Sequence, residues 1–141
     1  RLRHGARGVG VITRCLELAA SYANQRSTFG AKLSSRQTVQ NMLVDMYQNR
    51  HQLQLMVYNA ACRADQGEDV RAESYMCKYF GDEMSFKAAD RCMQIHGGMG
   101  LTKDMPIEQF FRDQRSMIVT EGPTEILKMA LARLVLREYG E

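Results

Sequence analysis

Proline and tryptophan are scarce in this sequence: there is no tryptophan, and the two prolines, Pro106 and Pro123, both fall in the last third. Proline breaks helix interiors, so everything before Pro106 is free to form long helices. No apolar run reaches the length of a membrane span, so insertion into a membrane is not expected. No signal or transit peptide is visible, but the chain starts at Arg1 without a methionine, and that absence carries no information. The body reads as a protein of the bacterial cytoplasm or the mitochondrial matrix.

Charge of one sign is also missing. Nineteen Lys and Arg stand against sixteen Asp and Glu, a formal net charge of +3 with the signs interleaved, which argues against nucleic acid as a partner. The basic stretch Arg1, Arg3, His4 and Arg7 reads as a helix start facing water or a bound anion. The four cysteines, Cys15, Cys62, Cys77 and Cys92, sit singly in apolar helical patterns, without metal-ligand spacing to one another or to His4, His51 and His96. That excludes a disulfide scaffold and a structural zinc site, and no metal is expected. Buried free thiols in a reducing compartment are the plain interpretation.

What is present is a composition that folds, 45% hydrophobic and 25% charged, in 141 residues that suit one domain. Val9, Ile12, Leu16, Ala19 and Tyr22 recur every three or four residues, the stripe of an amphipathic helix over about 3–25. Ser34 followed by Gln37 predicts a capping box that opens a second helix, with the stripe Val39, Leu43, Met46, Leu53, Val57, Ala60 and Ala64. Gly67 suits a left-handed C-terminal position there, and Asp69 can cap the next helix. That third helix carries Ala72, Met76, Tyr79, Phe86, Ala89 and Met93 and stops at a glycine cluster. A short helix begins at Pro106 and a last one at Pro123, each proline fitting a first helical position, the last with Ile126, Leu127, Ala130, Leu131 and Leu134 inward. With no convincing period-2 segment, the fold expected is all-α, an antiparallel up-and-down four-helix bundle with a short extra helix. The ten methionines fill gaps in its core.

Three loops are poorly explained by packing: Arg26-Ser27-Thr28-Phe29-Gly30, Gln94-Ile95-His96-Gly97-Gly98-Met99-Gly100, and Thr120-Glu121-Gly122-Pro123-Thr124-Glu125. A guanidinium, a hydroxyl and the amides of glycine turns are donors that suit a pyrophosphate. Arg26 is equally explained as an exposed side chain favoured by a helix C-terminus, and the glycines as a simple turn. No strand precedes them, so neither a Rossmann fingerprint nor a P-loop is present. Glu121 sits at the mouth of a helix, where the N-terminus favours its carboxylate and burial against an acyl chain would disfavour it. A carboxylate whose basicity rises on substrate binding suits proton abstraction beside a carbonyl, and mere complementation of the helix dipole is the other reading.

In this order the loops resemble the C-terminal domain of the acyl-CoA dehydrogenase family. Tyr22-Ala23-Asn24-Gln25-Arg26-Ser27-Thr28-Phe29-Gly30 is similar to its Y-A-x-x-R-x-x-F-G. Gln94 to Gly100 is similar to Q-x-x-G-G-x-G, and Phe111-Arg112-Asp113 precedes Glu121-Gly122-Pro123-Thr124-Glu125-Ile126. The resemblance covers residues 1–141 and implies upstream helical and β-domains outside this chain, FAD as cofactor, and a homo-oligomer, a tetramer, with FAD across a subunit interface.

It also implies residue roles. Arg26, Thr28 and Phe29 match positions at the FAD pyrophosphate, with Gln37 and Arg36 nearby; Gln94, Gly97 and Gly98 match positions reaching a neighbouring subunit's cofactor. Glu121 matches the base that takes the α-proton of an acyl-CoA while hydride passes to the flavin, giving a trans-2-enoyl-CoA, as in fatty-acid β-oxidation. Gly122 beside it and Arg1 are expected at the substrate, and electron-transfer flavoprotein is the implied acceptor. The sequence departs from the family in having Pro123 where a hydroxyl residue is usual, for which Thr124 can compensate, and Thr120 where an aromatic is frequent. Two alternatives stay open: a non-catalytic four-helix oligomerisation module, and an acyl-CoA or nitroalkane oxidase on the same fold. The fragment alone is expected to be inactive, because flavin and thioester need walls it lacks.

Overall fold

The computed structural model describes residues 1–140. Five α-helices follow one another: α1 (Leu2–Gln25), α2 (Gln37–Asp65), α3 (Arg71–His96), α4 (Ile107–Met117) and α5 (Thr124–Tyr139). Helices α1, α2 and α3 run up, down and up, and the core lies between them, around Ile12, Cys15, Ala19, Met46, Leu53, Ala60, Cys77, Ala89 and Cys92. Among the described residues no helix is long and apolar enough to cross a membrane.

The stripe read for α2 is the observed one at its centre, where Met46, Leu53, Val57 and Ala60 are buried. On α3 the buried line runs instead through Cys77, Lys78, Gly81, Asp82, Ser85, Ala88, Ala89, Cys92, Ile95 and His96. Large side chains such as Met76, Tyr79, Phe86 and Met93 lie on its flanks, only partly buried. The reason is a close helix crossing. A Cβ on Gly8 would lie 2.9 Å from the Gly81 carbonyl oxygen, and one on Gly81 3.0 Å from Gly5 Cα, so α1 and α3 meet almost backbone to backbone.

The expected four-helix bundle is met only in part. Helix α4 lies on α3, with Ile107 and Gln114 buried. Helix α5 buries only Thr124 and Leu127 fully, with Ala130, Leu131 and Leu134 half-buried, while Ile126, Met129, Val135, Leu136 and Tyr139 remain exposed. Of its anticipated inner face, only Ile126 is thus exposed. Two further corrections concern local chemistry. Cys62 is exposed, so only three of the four free thiols are buried. The capping box is not formed: Ser34 falls in a 3-10 turn at Leu33–Ser35, and α2 starts behind Arg36 with no side-chain cap. Asp69 does accept the Arg71 backbone N–H at 3.1 Å, and Gly67 is left-handed at φ 79°. A two-residue antiparallel ribbon, β1 (Ser27–Thr28) and β2 (Ala31–Lys32), was not anticipated, because two residues are too few to show a period.

Candidate active site

Helix α1 ends at Gln25, Arg26 follows in an extended conformation, and the ribbon reverses through Phe29 at φ 50° and Gly30 at φ 75°, pairing Ser27 with Lys32 and Thr28 with Ala31. Two successive left-handed residues make a turn whose twist matches the strands. Arg36 Nη2 donates to the Thr28 carbonyl at 2.8 Å and holds the turn from behind. Phe29 projects from the tip, fully exposed.

Across from the ribbon, α3 ends at His96 and passes into Gly97 at φ 59°. Arg26, Thr28, Gln94, His96, Gly97 and Gly98 line one recess of about 360 Å³. Nothing lies within 4 Å of where a Cβ would stand on Gly97 or Gly98, so a ligand can approach that backbone. His96 stacks on Tyr22 at 4.4 Å, donates from Nδ1 to the Cys92 carbonyl at 2.8 Å, and keeps a buried Nε2 without a partner. A guanidinium, a hydroxyl, open glycine amides and an orphaned ring nitrogen fit the phosphate and sugar end of a dinucleotide. Gln37 is exposed at the start of α2, outside this recess.

The second site is a cleft of about 540 Å³ lined by Arg3, His4, Arg7, Met117, Thr120 and Glu121. Glu121 has φ 53°, left-handed for a residue with a Cβ, and Gly122 follows at φ 109°. Such a conformation costs about 1–2 kcal/mol and persists where the surroundings impose it, often at functional positions. Here Pro123 precedes α5, and Leu127 packs 3.1 Å from where a Gly122 Cβ would be. Glu121 Oε1 accepts from Arg3, and Oε2 lies 3.1 Å from His4 Nε2. The Arg3 guanidinium and then His4 hold its carboxyl below the usual glutamate range.

Several expected positions differ. Arg1 is not at this cleft but stacks over the Tyr75 ring at 5.0 Å, and Arg3 takes the cationic place beside Glu121. His4 does not face water: it is 5% exposed and turned to Asp82. Thr124 is buried with an unpartnered Oγ1, in the first turn of α5 and away from the recess. Lys78 and Asp82, both buried behind Glu121, were not singled out by sequence reasoning. Their i,i+4 spacing around Gly81 on an inner face was the available signal. Among the described residues no cluster of three or more His, Cys, Asp or Glu side chains could hold a metal ion.

An exposed carboxylate on an imposed left-handed turn and a recess suited to the phosphate and sugar end of a dinucleotide thus sit on one helical scaffold, the combination expected of a cofactor-binding domain. The profile for "Acyl-CoA dehydrogenase, C-terminal domain" matches residues 1–136. The chain is 38% identical over 139 residues to the (R)-benzylsuccinyl-CoA dehydrogenase of Thauera aromatica, covering 98% of this chain and 34% of that protein. It superposes on butyryl-CoA dehydrogenase from Megasphaera elsdenii with TM-score 0.93 and 26% identity, over 97% of this chain and 36% of that one. PigA solved with FAD and proline matches with TM-score 0.90 and 30% identity, over 94% and 35%. The chain belongs to the acyl-CoA dehydrogenase family and corresponds to its C-terminal domain. It spans about a third of the length of these relatives, and the cofactor of the family is FAD.

Proposed function

We propose that the whole protein is an FAD-dependent acyl-CoA dehydrogenase and that Glu121 is its base, removing the α-proton of a CoA thioester. The observation that carries this reading is the turn 120–123, which holds an exposed carboxylate left-handed at the mouth of a cleft. Bound FAD supplies the acceptor for the β-hydride, so the product is a trans-2-enoyl thioester. Arg26, Thr28, Phe29, Gln94, Gly97 and Gly98 are the residues proposed to hold it. Gly122, at φ 109°, lets the chain make the turn that presents Glu121 to the substrate.

In the structure Arg3 opposes proton uptake by Glu121, but its side chain is 77% exposed and can leave when the thioester enters. A substrate that excludes water then raises the basicity of the carboxylate, which is what abstraction of a carbon-bound proton requires. Val44, Tyr47, Leu55 and Tyr58 on α2, and Met129, Val135 and Leu136 on α5, are exposed apolar side chains. They support a homotetramer as the working form. Electron-transfer flavoprotein is the proposed electron acceptor, and the bacterial cytoplasm or the mitochondrial matrix the proposed compartment.

The test is made on the full-length protein with FAD. Glu121→Gln is expected to keep the flavin and to lose exchange of the α-protons of an acyl-CoA with solvent deuterium; retained exchange removes Glu121 from this role. The exposed apolar faces would equally serve a non-catalytic oligomerisation module. A stable tetramer that is colourless and takes up no FAD would favour that second reading.

A further inference from the structure

Behind Glu121 stand three ionisable side chains that the proposed proton abstraction does not use. His4 Nε2 lies 3.1 Å from Glu121 Oε2, and His4 Nδ1 lies 3.3 Å from Asp82 Oδ1. Asp82 Oδ2 lies 2.8 Å from Lys78 Nζ, a contact that is coulombic, since its angles leave Oδ2 without a hydrogen bond. His4 is 5%, Asp82 2% and Lys78 0% exposed. A row of ionisable groups in a core costs desolvation that apolar side chains would not, so packing does not explain it. Lys78 Nζ also donates to the Met117 carbonyl at 2.8 Å, the last residue of α4, from which the chain turns toward Glu121. One ammonium thus fixes both the carboxylate behind His4 and the segment that carries Glu121.

The groups around His4 define its state. From α3 it meets Asp82, with Lys78 beyond; from the turn before α5 it meets Glu121; its own helix adds Arg3 and Arg7 at the cleft. The adjoining wall is apolar or thiol: Val57 of α2 and Cys77 of α3 close on Gly5. A carboxylate at Nδ1 keeps a proton on that nitrogen, so Nε2 is the ring atom that exchanges a proton with Glu121.

We infer that His4, oriented by Asp82, is a positioning residue that aims Glu121 and accepts the proton Glu121 has taken from the substrate carbon. The inference rests on the assignment of Glu121 as base. In the transfer the O–H bond on Glu121 breaks with its electron pair left on oxygen, and an N–H bond forms at His4 Nε2. The carboxylate is restored beside an imidazolium whose other N–H faces Asp82, and nothing is oxidised or reduced. Glu121, His4, Asp82 and Lys78 then alternate in sign and sum to zero, so a proton can be held behind a dried cleft without a net charge.

The experiment follows deuterium entering the α-position of a CoA thioester against pH, on the full-length FAD-loaded protein. The wild-type profile is expected to contain two ionisations. His4→Gln has an amide that cannot carry a proton; it should retain FAD and the KM for the thioester, lower the exchange rate on the order of 10²-fold, and lose one ionisation. Asp82→Asn should shift the same ionisation. A wild-type profile with one ionisation overturns the inference, and needs no variant to fold. So does His4→Gln with the wild-type rate and profile. Glu121→Gln separates the two ideas: if it abolishes exchange while His4→Gln is indistinguishable from wild type, only the relay fails, whereas exchange surviving in Glu121→Gln sinks the base assignment itself.

Discussion

Gly8 of α1 and Gly81 of α3 face one another so closely that a Cβ on Gly8 would meet the Gly81 carbonyl oxygen at 2.9 Å. The contact brings residue 4 within reach of residue 82, because each lies within a turn of the crossing point. Neither glycine has a positive φ, so the requirement is space and not backbone freedom.

Gly81→Ala should therefore force the helices apart and destabilise the protein by about 1–3 kcal/mol, the usual penalty of overpacking. Gly10, on the exposed side of α1, has nothing within 4 Å of its Cβ direction. Gly10→Ala should stabilise by roughly 0.5–1 kcal/mol through helix propensity. Denaturant midpoints of the whole protein read both; equal shifts for the two substitutions would contradict the close crossing.

The buried pair Lys78–Asp82 makes a second prediction. Lys78→Met leaves a buried carboxylate without its cation and should cost about 3–5 kcal/mol. Lys78→Met combined with Asp82→Leu removes both charges and should be less destabilising than the single change. A double-mutant cycle measures this, and additive losses would mean that the two side chains do not interact.

Helix α2 was legible because its core face is large and apolar, as Met46, Leu53 and Val57 record. On α3 only Ala89 of the expected stripe is buried: the inner line from Cys77 to His96 is made of small side chains such as Gly81 and Ala88 with Lys78, Asp82 and Ser85 among them, and these give only a weak hydrophobic period. Glu121 could be singled out from its place before Gly122-Pro123, but its partners could not, since His4 looked like one of several cations at a helix start. The Arg26–Gly30 loop and the glycine cluster were recognised separately; that they line one recess is a consequence of α1 and α3 running side by side.

Acid should weaken the protein through carboxylates paired with arginines, of which Asp69 and Glu121 are exposed and Glu108 is half-buried. Asp69 beside Arg71, Glu108 beside Arg112 and Glu121 beside Arg3 and His4 all have pKa values lowered from their ordinary 3.8, 4.5 and 4.5. A folded pKa below the unfolded one means that the stabilisation is complete above the unfolded value and is lost as pH falls through the folded one. The denaturant midpoint should thus be flat with respect to these groups above 4.5 and decline below it. Because the pairs face solvent, added salt should reduce the decline. Glu108→Gln should reduce it further, and an unchanged slope in that variant would show the Arg112 pair to be inert.

The last prediction concerns the ribbon tip. Phe29 is fully exposed and left-handed, two costs that the chain's own packing does not offset. If its ring serves only the turn, Phe29→Asn should stabilise, since asparagine tolerates that backbone conformation and exposes no apolar surface. If the ring covers the cofactor in the assembled protein, as proposed, the same substitution should leave stability of the apoprotein equal or higher while FAD dissociates faster. Arg36→Ala acts on the same turn from behind, by removing the donor to the Thr28 carbonyl, and should speed flavin loss too. Flavin fluorescence recovered on dilution measures both rates. Phe29→Asn with wild-type flavin release would assign the exposed ring to some other contact, because a solvent-facing phenyl that the turn does not need must be kept for something that covers it.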